Sequence, residues 1–128
     1  MKKLFLFFSL ISVLFFSCSK EDDNPEPENK NMFIETSWIA DDDIASLIYG
    51  DGCTTTIEFI TETECQEINY IPNGVFSGTD VKKGTYTYDG NTVTWTIDEI
   101  TITGIASGSI LNTDMGTISG GKRIYSKN

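Results

Sequence analysis

The chain offers few side chains for catalysis, since its 128 residues include three cysteines and no histidine. A serine or cysteine nucleophile usually gives its proton to an imidazole base, which this chain cannot supply. Paired carboxylates can carry out glycoside hydrolysis, but a solvated rim is the simpler interpretation of the acids around one predicted hairpin, Glu58, Glu62, Glu64 and Glu67. We therefore predict no enzyme activity and no cofactor.

Cys53 and Cys65 lie in the part of the chain that is expected to fold, and three roles stay open for them. A disulfide is one, because an even pair in an exported protein often forms a bridge. A simple hairpin with its turn at residues 61–62, however, sets Cys53 opposite Tyr70 and Cys65 opposite Glu58, farther apart than the roughly 7 Å that a bridge allows. Two buried free thiols and a reactive thiol are the alternatives. A zinc site is not predicted, because two thiols without imidazole are too few ligands.

Aspartates at residues 41–43 and at Asp51 bracket one short segment and could offer oxygen ligands to calcium. Their spacing differs from that of an EF-hand loop, because Ala45 stands where another oxygen donor is needed. Asp43 is better suited to capping a helical turn whose apolar residues recur at i, i+3 and i+4 from Ile44. We predict no metal site and one short helical turn, which could act as a lid over a barrel mouth.

The first 17 residues have the layout of an export signal. Lys2 and Lys3 precede an apolar run, Leu4–Phe16, and a small residue then precedes Cys18. A membrane-spanning helix needs roughly 20 apolar residues, so this run is too short for a permanent anchor. A charged, then apolar, then small sequence is typical of a cleaved leader, which predicts a signal peptide at residues 1–17.

Residues 15–18, Phe-Phe-Ser-Cys, resemble the lipobox of bacterial lipoproteins, with phenylalanines where aliphatic residues are commoner. In that family the leader is cut before the cysteine, which then carries the lipid, so the resemblance implies lipidation of Cys18. Two or more acyl chains are enough for stable membrane attachment. The acidic segment Ser19–Asp23 looks like the export tag of surface lipoproteins of Bacteroidota. The expected location is the outer membrane, at the cell surface, and the periplasmic face of that membrane is the alternative.

The charge of the chain argues against nucleic acid as a partner. Without residues 1–17 the chain keeps seven of its nine basic residues and all nineteen acidic ones, a net charge of −12, whereas nucleic-acid binding requires clustered Lys and Arg. Residues 24–31 carry two prolines and no large apolar side chain, which is typical of an extended linker. We predict a tether at residues 18–31 and one folded domain at residues 32–128.

The domain is rich in β-branched residues, with 16 threonines and 15 isoleucines after Met32. Such residues suit a pleated sheet, and short alternating runs broken by Gly, Asn and Asp are typical of a sandwich or barrel. We predict an all-β, up-and-down antiparallel barrel of about eight short strands, with the helical turn after the first. The predicted strands begin near residues 33, 53, 64, 84, 91, 100, 109 and 122, and residues 115–119 could prolong the seventh.

One hairpin is especially well marked, because Asp89-Gly90 is a favoured two-residue turn between alternating strands. Pairing Tyr88 with Asn91 sets Tyr86 opposite Val93 and Gly84 opposite Trp95, all on one face. The threonines fall on the other face. A slip of one residue would exchange the two faces, so the faces are well defined.

Together, the first-strand Trp38, the short helical turn, the Gly84–Thr94 hairpin and the basic-aromatic last strand resemble the small lipocalin-like domains of Bacteroidota lipoproteins. The likeness covers roughly Phe33–Asn128, although Thr36 stands where lipocalins usually have glycine. In that family a basic residue of the last strand stacks on the first-strand tryptophan. The resemblance therefore implies a structural cation–π contact between Arg123 and Trp38.

Trp95, Tyr86 and Tyr88 share a face of this hairpin, and two interpretations stay open. They form the barrel core, or they line a small lumen that binds an apolar or sugar-like ligand. The alternative function is a protein-interaction module that makes contact through a mobile loop at Pro72–Asp80 and an acidic rim. An internal cavity lined by Trp95 and Tyr86 would favour ligand binding, whereas a packed interior with an exposed apolar patch would favour interaction.

Overall fold

The computed structural model describes residues 29–115 and 121–128. Within them, eight antiparallel strands close into a barrel in which each strand pairs with the next and the last pairs with the first. This confirms the predicted up-and-down barrel with one short helix after strand 1. The elements are β1 (Thr36–Asp41), α1 (Asp43–Tyr49), β2 (Thr54–Phe59), β3 (Glu64–Ile71), β4 (Gly78–Asp89), β5 (Thr92–Ile97), β6 (Ile100–Ser107), β7 (Ile110–Asp114) and β8 (Lys122–Lys127).

The barrel has two unlike ends. The N-terminal segment, residues 29–35, lies at the end where β1 begins and β8 finishes, and we call this the closed end. The helix α1, the loop at residues 72–77 and the β5–β6 turn lie at the opposite end, which we call the open end. Among the residues that the structure describes, no helix has the length and apolar character needed to span a bilayer.

Most aromatic side chains of the apolar core cluster toward the closed end of the barrel, and Ala40, Ile97 and Ile102 continue the core toward the open end. Phe33, which precedes β1, is fully buried, and its ring packs 6.4 Å from that of Trp38 and 5.5 Å from that of Phe59. Trp95 and Tyr125 continue the cluster with nearly perpendicular rings at 6.3 Å. Aromatic pairs prefer such edge-to-face geometry, so the closed end is a packed aromatic core.

The basic residue at Trp38 is Lys127, and the predicted contact between Arg123 and Trp38 is wrong. The β1–β8 register sets Trp38 opposite Lys127, whose Nζ lies 5.7 Å from the centre of the indole ring. Arg123 lies four residues earlier in β8, which displaces it toward the open end, where it pairs with Asp42. The last strand therefore supplies its two inward-facing cations to opposite ends of the barrel.

The β4–β5 hairpin has the predicted faces but a different pairing. Tyr86 lies opposite Trp95 and Tyr88 opposite Val93, because the turn residues are Gly90 and Asn91 instead of Asp89 and Gly90. Gly90 has φ +57°, which suits glycine at the first central position of a type II′ turn. Moving the turn by one residue shifts the pairing by two, and this shift preserves the faces.

Gly84 therefore does not lie opposite Trp95, as the predicted pairing required. A Cβ atom at this position would overlap the Thr96 carbonyl oxygen and lie 2.5 Å from Ile97 Cγ1. The absence of a side chain at Gly84 is what allows β4 and β5 to approach closely at this point.

The boundaries of α1 and β4 also differ from prediction. Asp42, not Asp43, caps α1, since its Oδ1 accepts a 2.9 Å hydrogen bond from the Ala45 N–H. β4 begins at Gly78, so the loop covers only residues 72–77, and residues 78–83 pair with β3. Residues 78–83 are mostly polar, so their sequence lacks the apolar alternation from which a strand is predicted. The predicted extension at residues 115–119 falls mostly outside the described residues.

Candidate functional site at the open end of the barrel

Polar side chains point into the half of the barrel that is nearer the open end, next to the aromatic core. Side chains alternate along a strand, so the buried Cys65 and Tyr86 fix the inward positions of β3 and β4. Closer to the open end these positions hold charge, because Glu67 lies two residues beyond Cys65 in β3 and its pairing partner Lys82 lies four residues before Tyr86 in β4. The remaining polar groups on this inner surface are Asp42, Thr55, Asn69, Thr113 and Arg123.

Asp42 is the hub of these groups. Its carboxylate lies 3.2 Å from the Arg123 guanidinium in an ion pair whose two side chains are each 16% exposed. Its Oδ1 also accepts the Ala45 N–H, so one side chain both starts α1 and joins that helix to β8. The Thr55 hydroxyl lies 3.0 Å from Asp42 Oδ2 and 2.9 Å from Asn69 Oδ1 and can donate its proton to one of them.

Asn69 extends this network to Glu67. Its Nδ2 donates a 2.9 Å hydrogen bond to Glu67 Oε1, which fixes the carboxylate on the inner wall. Burial opposes the charge on Arg123, but the adjacent Tyr125 hydroxyl and the carboxylates of Asp42 and Glu67 outweigh it and raise the pKa of Arg123. The guanidinium is therefore positively charged throughout the physiological range.

The Tyr125 hydroxyl is buried beneath the network. Burial raises its pKa, and Arg123 opposes part of this rise. The hydroxyl makes no hydrogen bond of normal geometry to the described residues, although it lies within electrostatic reach of Arg123. The Trp95 indole nitrogen is likewise buried without an acceptor among them. Buried polar groups usually have hydrogen-bond partners. Where the aromatic core meets the polar lumen, these two groups have none within the described part of the chain.

A cavity of about 150 Å³ opens beside this network. One part of its wall is charged, with Glu67, Lys82 and Asp98, and the other part is apolar. Lys82 Nζ lies 3.2 Å from Asp98 Oδ2, and this hydrogen bond and the charge of Asp98 raise the pKa of Lys82, which is therefore cationic at neutral pH. The apolar part consists of Trp95, Ile97, Ile100, Ile102 and Met115.

The structure does not bring the three predicted ligand-binding aromatics together at this cavity. Trp95 lines it, whereas Tyr86 lies in the core near the closed end, where its hydroxyl accepts a 2.8 Å hydrogen bond from Asn31 Nδ2 and donates to the Thr61 carbonyl. The Tyr88 ring stacks beyond that of Tyr86, at 6.4 Å. The three side chains share a face, as predicted, and Tyr86 is the cross-strand neighbour of Trp95, but only Trp95 lines the cavity.

Cys53 and Cys65 are buried free thiols in the structure. The predicted pairing of Cys65 with Glu58 is wrong, because Cys65 lies opposite Phe59, and Tyr70 lies opposite Thr54 instead of Cys53. With Cys65 beside Phe59, six residues of β2 separate the two thiols, or roughly 20 Å at the rise of a strand. Cys53 Sγ is 3.3 Å from the Gly50 carbonyl oxygen.

We expect both thiols to resist alkylation in the folded chain. Burial, assisted by the charge of Glu67, raises the pKa of Cys65 to about 11, so the reactive thiolate is scarce at neutral pH. In a Cys18→Ser chain at pH 8, mass spectrometry after iodoacetamide treatment should find no adduct on the native protein and two adducts on the unfolded protein. A mass lower by two hydrogens without reductant would instead indicate a disulfide.

Sequence reasoning missed most of this polar lumen. The sequence predicts a solvated rim for Glu67 and no site role for Asn69 or Lys82, because polar residues in a strand are ordinarily taken to face solvent. The alternation of side chains along a strand could have revealed the polar inner wall, since a buried Cys65 puts Glu67 and Asn69 on the same inward face. Comparison of the chain with protein-family models, with curated proteins and with solved structures found no match.

Proposed function

We propose that this chain is a lipid-anchored barrel that binds a small, sugar-like ligand in the cavity at its open end. The observation that carries the proposal is the division of that cavity into a charged wall and an apolar wall. Sugars offer hydroxyls to carboxylates and ammonium groups and C–H faces to apolar side chains. A cavity of this volume is large enough for a six-membered ring, since one of about 150 Å³ holds benzene.

The polar network supports this function because apolar residues in its place would often give an interior of equal or greater stability. Ion pairs taken out of water recover their desolvation cost only with excellent geometry, and well-packed apolar residues in their place are often neutral or stabilising. The barrel has such an apolar core at its closed end, yet it carries charges on the inner wall at its open end. Binding of a polar ligand in the lumen would explain why these charges are present.

The lipid anchor is the other part of the proposal and rests on residues 1–23. If Cys18 is acylated, radiolabelled palmitate should enter the full-length protein in a bacterial host that processes lipoproteins, and the label should be lost in Cys18→Ser. Cys53→Ser is the matched control and should keep the label. Label in the Cys18→Ser chain would contradict attachment at this position.

Ligand binding can be tested by saturation-transfer NMR with a panel of common hexoses and N-acetylhexosamines. At least one of these sugars should receive saturation from the protein. Glu67→Gln should weaken its binding by roughly 10- to 100-fold, the worth of a hydrogen bond to a charged group. Glu64→Gln is the matched control, because Glu64 lies exposed at the start of the same strand.

A second pair of variants tests the location. Ile100 lines the cavity with an exposed side chain, so Ile100→Trp should block the site without disturbing the core. Ile105, similarly exposed on the outer face of the same strand, supplies the control Ile105→Trp. Equal sugar binding by the two variants would refute the cavity as the site, and a panel in which no sugar receives saturation would refute the sugar-like class.

A further inference from the structure

A cluster of large apolar side chains lies exposed at the open end, outside the lumen. The helix α1 has no buried residue, so the predicted apolar stripe does not pack as a lid. Leu47 is 88% exposed and Ile48 67%, and in the neighbouring loop Val75 is 96% and Phe76 71% exposed. We call Leu47, Ile48, Tyr49, Val75 and Phe76 the open-end patch.

The open-end patch has a defined shape. The rings of Tyr49 and Phe76 meet edge to face at 5.7 Å, which connects the helix to the loop. A groove of about 290 Å³ lies between Ile48 and Tyr49 on one side and residues 73–76 on the other. Exposed apolar side chains are ordinary when scattered singly, but a contiguous set around a groove marks an interaction surface.

The chain segment that supplies this patch carries charge of one sign along the sequence, although Arg123 of β8 pairs with Asp42 at the start of α1. Residues 31–81 contain ten of the nineteen acidic residues and none of the nine basic ones, so the other 77 residues carry nine of each. The whole net charge of −10 therefore belongs to the segment that forms β1, α1, β2, β3 and the patch loop. Asp41, Asp43 and Asp51 lie exposed next to the helix and form no ion pair within the described part of the chain.

This charge distribution selects among possible occupants. An anionic membrane surface would be repelled by the acidic segment. A symmetric dimer would bring two such segments together, and like charges across an interface disfavour it. A polypeptide with an apolar face and flanking Lys or Arg residues fits both the apolar groove and the acidic charge. Its apolar face fills the groove, and its basic residues neutralise the exposed aspartates beside the helix.

We propose that the open-end patch is the docking site for a basic, amphipathic polypeptide segment of a partner protein. Apolar side chains of the segment enter the groove between α1 and the loop at residues 72–77. Its Lys or Arg residues pair with Asp41, Asp43 and Asp51. This surface lies outside the sugar-binding cavity, so the two sites are tested independently.

The test compares two short synthetic helices with the same leucine face, one with lysine and one with glutamate on its polar face. Fluorescence anisotropy with the full Cys18→Ser chain should detect binding of the lysine peptide. The glutamate peptide should bind at least tenfold more weakly. Raising the salt to about 0.5 M should weaken the lysine peptide, because screening removes interactions between exposed charges.

Variants separate the two halves of the inference. Leu47→Ser/Phe76→Ser should reduce affinity at least tenfold, while Ile105→Ser, which removes an exposed apolar side chain from the opposite part of the barrel, should leave it unchanged. Asp41→Asn/Asp43→Asn/Asp51→Asn should reduce it by a similar factor. Full binding by the serine pair would overturn the patch as the site, and equal binding of both peptides would overturn the basic partner.

Two other occupants have distinct outcomes. Vesicles of phosphatidylcholine, with or without phosphatidylglycerol, should co-sediment to the same extent with the Cys18→Ser chain and with its Leu47→Ser/Phe76→Ser variant. Co-sedimentation that the serine pair abolishes would identify lipid as the occupant and overturn a polypeptide partner. Sedimentation velocity should find a monomer, and a dimer abolished by the same serine pair would identify a second copy of the chain instead.

Discussion

Replacing Asp42 with alanine is expected to lower the free energy of unfolding by about 3–5 kcal/mol, the usual cost of removing one partner from a buried ion pair. The change leaves the Arg123 guanidinium, whose side chain is only 16% exposed, without its carboxylate. It also removes the N-cap of α1 and an acceptor for Thr55. Urea denaturation followed by circular dichroism measures the loss.

The neighbouring aspartates are the controls for this prediction. Asp41→Ala and Asp43→Ala remove the same charge from exposed positions, where a substitution usually costs no more than about 0.5–1 kcal/mol. The cost of Asp42→Ala should also shrink when Arg123→Met is added, because the unpaired cation is then gone. A coupling of about 1–3 kcal/mol is expected in the double-mutant cycle. If all three alanine variants lose equal stability, Asp42 is not a hub.

The architecture could be predicted because the local signals agree with one another. Dense threonine and isoleucine, alternation and regularly spaced turns all favour a barrel, and β3 and β8 have the predicted bounds. Registers were harder, because the two-residue turn could begin at either Asp89 or Gly90. Both choices keep Trp95 and Tyr86 inside, so the pattern of burial alone cannot distinguish them.

The candidate site was less predictable for a different reason. In a closed barrel each strand has an inner face that can be apolar at one end and polar at the other, and the sequence of β3 carries both, with Cys65 and then Glu67 and Asn69. Whether such a strand is half buried or lines a lumen depends on the strands around it. Arg123 illustrates the point, since its partner Asp42 is 81 positions away in the chain.

The segment before β1 is part of the folded unit, and this leads to the second large prediction. Phe33→Ala should lower the free energy of unfolding by about 3–5 kcal/mol, the range for a buried phenylalanine. Phe33 is fully buried against Trp38 and Phe59, so the change leaves a cavity at the closed end. For a domain of about 100 residues this loss lowers the melting temperature by at least about 12 °C.

Phe76→Ala is the matched control, since it removes the same side chain from a position that is 71% exposed. It should change stability by less than about 0.5 kcal/mol. The comparison also bears on where the domain begins, because Asn31 caps the same segment by accepting the Phe33 N–H at 2.9 Å and donating to the Tyr86 hydroxyl at 2.8 Å. A chain that starts at Thr36 should therefore be at least as unstable as Phe33→Ala. If it instead unfolds like the parent chain, residues 31–35 belong to the tether and the closed end is held by the barrel strands alone.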